Sequence, residues 1–163
     1  MSDMQIDTDK FVLKALSSGA LVDDCNANRS AMLAAAINAA KNAYCPYSKF
    51  HVGAALLTIT ADIYAGCNVE NVMYNGMSHA ELTAISNAIV HEGSDMLIAE
   101  MVIWTPTPEP TPSCGGCRQL LREHIASRSE SVIWSFCDDP TRPPLGMTVD
   151  ELLPHSFGPE NLG

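Results

Sequence analysis

The chain has 163 residues, 47% of them apolar and 17% charged, with a formal net charge of −10. This length and apolar content suit one folded domain with its own core and exclude a disordered chain. The acid excess argues against a nucleic-acid partner, whose phosphates need Lys and Arg, and fits a small neutral substrate.

The opening residues, MSDMQIDTDK, carry no basic segment followed by an apolar one, so no signal peptide is expected. No apolar run reaches the roughly 18 residues of a membrane span. The expectation is a cytoplasmic protein with no membrane partner. Its six cysteines, Cys25, Cys45, Cys67, Cys114, Cys117 and Cys137, then read as reduced thiols, two of them on a metal. Residues 1–29 are polar, acidic and weakly periodic. They predict an arm or one short helix around DKFVLKALSSGAL, ahead of a main domain at 30–163.

From Ser30, a plausible N-cap, SAMLAAAINAAKNAY predicts a helix that Pro46 ends. FHVGAALLTI and IYAGCNVE then read as an antiparallel hairpin. After a loop at 71–78 a helix opens with SHAE. Ser78 is its expected N-cap and Glu81 its capping-box partner, and Gly93 closes it. MLIAEMVIW (96–104) reads as a buried strand. TPTPEPTPS is a stiff extended loop, because four prolines remove backbone donors. CGGCRQLLREHIAS predicts another helix, SVIWSFC another strand, and a Pro-rich turn leads to a short helix at TVDELLP. Strands alternating with helices after a hairpin predict a three-layer α/β sandwich on a mixed sheet.

Two motifs, HAE at 79–81 and CGGC at 114–117, fall where a loop enters a helix. In α/β folds such junctions line ligand pockets. Cys114 and Cys117 are one helical turn apart, so both sulfurs can reach one ion. His79 supplies a third ligand from the other helix. Three protein ligands leave a tetrahedral position open, which is the catalytic pattern for zinc. Helix N-termini are expected to lower the thiol pKa values. Glu81 is placed to take a proton from water in the open position and pass it to a departing group. Each motif alone is weak: CxxC also serves redox or core roles, and Glu81 also suits a cap. With Cys67 as a fourth ligand, the site would be a closed, structural one. Together HxE and CxxC match the zinc nucleobase deaminase signature.

YCPYSKFHVGAALLT, GCNVEN, HAE, CGGCRQLLRE and LLPHSFGPENL, in that order from about Ala43 to Asn161, resemble the cytidine deaminases that act on free nucleosides. The resemblance implies a three-layer α/β/α sandwich with a mixed five-stranded sheet and one zinc ion per subunit on His79, Cys114 and Cys117. It implies hydrolysis of cytidine and 2′-deoxycytidine to the uridine forms and ammonia, in pyrimidine salvage, with Glu81 as proton shuttle. It implies that Asn68 and Glu70 bind the sugar, that Phe50 packs on the base, and that Ala80 is a further substrate-binding residue. Tyr74 and Phe157 match positions that complete a neighbouring subunit's site, so a homo-oligomer is expected, a tetramer ahead of a dimer.

Several residues depart from the single-domain pattern. His79 stands where many relatives have Cys, and Leu82 where those relatives have Arg. The two changes are coherent, because two thiolates and an imidazole leave a zinc site neutral while three thiolates leave it anionic. Pro112-Ser113 reverses the family's Ser-Pro order before the first Cys, and YNGMS and PEPTPS alter loops near the pocket. A modified cytosine nucleoside, such as an antibiotic of the blasticidin S kind, is therefore the alternative substrate. A nucleic-acid editor or a purely structural zinc module are the other rivals.

Overall fold

The computed structural model describes residues 6–18, 27–73 and 76–162. Cys25 and Tyr74 lie outside the described residues. Helices α1 (Thr8–Ser17) and α2 (Ala27–Lys41) precede strands β1 (Gly53–Thr58) and β2 (Ile63–Cys67). Helix α3 (Ala80–Glu92), strand β3 (Ile98–Trp104), helix α4 (Gly115–His124) and strand β4 (Val132–Phe136) follow. Strand β5 (Leu145–Thr148), helix α5 (Val149–Leu152) and a 3-10 turn at Pro159–Asn161 complete the chain. No helix among the described residues is long and apolar enough to cross a membrane.

The five strands form one mixed sheet in the order β2-β1-β3-β4-β5, parallel only between β3 and β4. Both faces are covered, which is why the central strands read as near-continuous apolar runs. Successive side chains alternate between the faces. Ala54, Leu56, Met101, Ile103 and Ile133 pack with α3, α4 and α5. Ala55, Val102, Trp104 and Phe136 pack with α1 and α2. The three expected layers are therefore present.

Close helix–sheet approach depends on glycine in two places. A Cβ on Gly53 would collide with the Ala36 carbonyl of α2, and one on Gly66 with the backbone of α3 at Ala84. The alanine-rich helices come down onto bare backbone. As a result α3, which begins with the HAE motif, is fixed directly over β2.

Three expectations need correction. Helix α2 begins at Ala27, so Ser30 lies inside it instead of capping it. Tertiary contacts extend that first turn: Arg29 pairs with Glu100 at 2.8 Å and stacks on the Trp134 ring at 3.9 Å. Ser78 does not cap α3, because its backbone is engaged in an antiparallel bridge with Val69. The cap position moves on to His79, and the capping box with Glu81 is not formed. The Pro-rich turn ahead of α5 contains β5, a short strand paired antiparallel to β4 with Gly146 against the Trp134 ring. Its partly exposed LGMT has no apolar run to announce it.

Candidate metal centre and pocket

His79 and Cys114 occupy the same structural position, the N-cap of a helix, both in extended conformation. An N-cap side chain ordinarily folds back to accept from the first turn's N–H groups. Neither does so here. Both project sideways, towards each other. His79 Nδ1 lies 3.4 Å from Cys114 Sγ and 3.3 Å from Cys117 Sγ. All three ligand atoms lie within 4.8 Å of one another. Zinc bonds of about 2.3 Å to sulfur and 2.0–2.1 Å to nitrogen, at a tetrahedral angle, require an N-to-S edge of about 3.5 Å. The residues therefore fit zinc without rearrangement. Cys67 is not part of this cluster, and no second such group of His, Cys, Asp or Glu converges among the described residues. The donor set is three, and the closed four-ligand alternative fails.

Burial pushes the Cys117 thiol well above its ordinary range, and the neighbouring Glu81 carboxylate pushes it further. At this buried sulfur desolvation opposes the lowering expected from the helix start. A divalent cation reverses that balance, since thiolate ligation displaces the proton. Glu81 itself is 5% exposed and lies in the first turn of α3.

A cavity of about 440 Å³ opens beside the cluster, and His79, Ala80, Glu81 and Cys114 form one of its walls. Phe50, Asn68 and Glu70 form another. Phe50 is 38% exposed, so it faces the cavity instead of joining the core. The side chains of Asn68 and Glu70 also hold the loop that carries Phe50. Asn68 accepts from the Val52 N–H at 2.9 Å and donates to the Phe50 carbonyl at 2.8 Å. Glu70 accepts from the N–H groups of Tyr47 and Ser48 at 3.0 and 3.2 Å. Phe157 is 60% exposed and outside the cavity wall. Its segment is fastened to α4, with Gln119 donating to its carbonyl at 3.1 Å.

Sequence reading missed Ser48, Thr105 and Thr111 as cavity residues. The threonines that alternate with prolines in TPTPEPTPS form a hydroxyl chain, Thr105 to Thr107 at 2.7 Å and Thr111 to Thr107 at 3.4 Å. That alternation was the available signal. It reads as a stiff loop because hydroxyl partners are invisible in sequence.

Residues 26–134 match the family described as "Cytidine and deoxycytidylate deaminase zinc-binding region". A cytidine deaminase of Halalkalibacterium halodurans is 36% identical over 135 residues, covering 83% of this chain and 98% of that protein. One of Mycobacterium tuberculosis is 39% identical over 127 residues, covering 78% and 87%. The crystal structure of cytidine deaminase from Burkholderia pseudomallei superimposes with a TM-score of 0.69 at 32% identity, covering 78% of this chain and 97% of that one.

Proposed function

Because the chain belongs to the cytidine and deoxycytidylate deaminase zinc-binding family, we propose that it hydrolyses cytidine and 2′-deoxycytidine to uridine and 2′-deoxyuridine, releasing ammonia. The observation that carries this reading is that a three-ligand cluster and a buried carboxylate open on one cavity. His79, Cys114 and Cys117 would hold zinc, which would supply a Lewis acid able to make water a competent nucleophile near neutral pH. Glu81 moves two protons in turn, one from water to the ring nitrogen and a second from the new C4 hydroxyl to the departing amine. Phe50 packs on the base beside Ala80, and Asn68 and Glu70 receive the sugar hydroxyls with the hydrogen-bonding capacity the loop leaves them.

A free nucleoside fits better than a nucleotide. Among the described residues the cavity wall includes Glu70 and Glu81 and no Lys or Arg, so a 5′-phosphate would meet carboxylates without a counter-charge. The buried Ser113 beside Cys114, where the family resemblance implies proline, supports a modified cytosine nucleoside as the second reading. The proposed assembly is a cytoplasmic homo-oligomer, a tetramer ahead of a dimer, with Tyr74 and Phe157 serving a neighbouring subunit. Residues 30–163 form its catalytic part.

The test is absorbance loss with a panel of cytosine nucleosides, nucleotides and modified analogues, alongside metal analysis. Cytidine and deoxycytidine should turn over, with one zinc per chain. The Glu81→Gln variant should keep zinc and fold and lose at least about 100-fold in kcat, as expected for a general acid–base. Turnover of deoxycytidine monophosphate but not the nucleosides would remove the substrate assignment. Undiminished turnover in Glu81→Gln would remove the mechanism.

A further inference from the structure

We propose that Arg118 is a positioning residue that sets the Ser113–Cys114 peptide plane, and with it the metal ligand Cys114, by forking between two main-chain carbonyls. The proposal rests on the deaminase reading. Arg118 Nε donates to the Ser113 carbonyl at 2.7 Å, and Nη1 donates to the Leu152 carbonyl at 2.8 Å. No carboxylate pairs with Arg118 among the described residues. Its charge is spent on two neutral oxygens, where charge-assisted bonds are about twice as strong as neutral ones.

The turn being held has few other restraints. A Cβ on Gly115 or Gly116 would meet nothing within 4 Å outside its own turn. The Ser113 hydroxyl is buried without a partner and ties nothing down. Cys114 is exposed and makes no cap bond. Arg118 fills that gap by linking the ligand loop to Leu152, which is 4% exposed in the core cluster that also holds α3. A peptide unit is planar, so gripping the Ser113 carbonyl points the Cys114 N–H the opposite way. That N–H finds no acceptor among the described residues, and Cys114 lines the cavity. The guanidinium thus fixes both the sulfur and a free donor at the cavity wall. Lysine has the charge but not the planar fork.

The experiment compares wild-type, Arg118→Gln and Arg118→Lys holoenzymes by cytidine kinetics and by zinc release to a chelator without substrate. Removing a residue that orients a ligand typically costs 10–100-fold, so Arg118→Gln should lower kcat by about 10–100-fold and release zinc about 10-fold faster. KM should stay within about twofold, because Arg118 does not line the cavity. Arg118→Lys should fall between, releasing zinc at least about threefold faster than wild type. Wild-type zinc release in Arg118→Lys overturns the assignment, as does a lowered melting temperature with unchanged kcat and zinc release in Arg118→Gln. If Arg118→Gln does not fold, Arg118→Lys decides by the same threshold; failure of both to fold places Arg118 in the fold alone and overturns it. If wild type deaminates nothing, the deaminase reading falls while zinc release still decides the role of Arg118.

Discussion

The Ser48 hydroxyl and the N–H groups of Tyr47 and Ser48 hold the Glu70 carboxyl below the usual carboxylate range. A carboxyl whose pKa is lowered on folding contributes stability above its unfolded value, and that contribution fades as pH falls through the folded value. Glu70 therefore supports the Phe50 loop near neutral pH, and that support fades progressively as pH falls from the ordinary value of 4.5 through its lowered folded value. Glu70→Gln should lower the urea midpoint at about pH 7, and the gap to wild type should close as pH falls below the ordinary carboxylate range. Parallel midpoint curves for the two proteins would exclude this role. At this scale the sequence was most legible where chemistry restricts the choice. Few residue types ligate zinc, so His79, Cys114 and Cys117 could be picked out by spacing. Ser48 and Thr105 escaped because hydroxyls occur everywhere, and only the fold shows which of them meet the cavity.

Helix α3 carries His79 at its cap and Glu81 in its first turn, and it can sit over β2 only because Gly66 has no side chain. Any Cβ there runs into helix backbone, which cannot turn aside as a flexible side chain would. Overpacking costs about 1–3 kcal/mol in ordinary cores, and Gly66→Ala belongs at or above the top of that range. The helix must also lift, separating His79 from the two sulfurs on α4. Denaturant unfolding should show the stability loss, and chelator competition should show weaker zinc retention; a variant with wild-type values in both would mean α3 is not seated as described. Element types were readable from periodicity, as in the hairpin, the buried β3 and the helices on either side. The missed elements share a physical cause. Strand β5 is defined by pairing with β4, and the start of α2 by Arg29 reaching Glu100 and Trp134, and both are long-range contacts that local pattern does not record.

Across the whole molecule the sheet separates two tasks. One face holds α3, α4 and α5 and the cluster behind the metal ligands; the other holds α1 and α2 around Ala55, Val102 and Trp104. The order of strands and helices anticipated this layering and the resemblance to deaminases the five-stranded sheet, while the residues alone indicated four strands and an N-terminal arm or short helix. Its helix, α1, buries Phe11 and Ala15 against the second face. Phe11 is 8% exposed, and truncating a buried Phe to Ala costs about 3–5 kcal/mol. As α1 is peripheral, Phe11→Ala should cost about 3 kcal/mol, the lower end of that range. None of the cavity residues belongs to α1 or α2, so KM and kcat for cytidine should match wild type wherever the variant is fully folded. Denaturant titration paired with kinetics at low temperature separates the two quantities. A kcat that falls in step with stability while the protein remains folded would show that the layers are mechanically coupled, and that the ligand geometry depends on packing across the sheet as well as on the helix starts themselves.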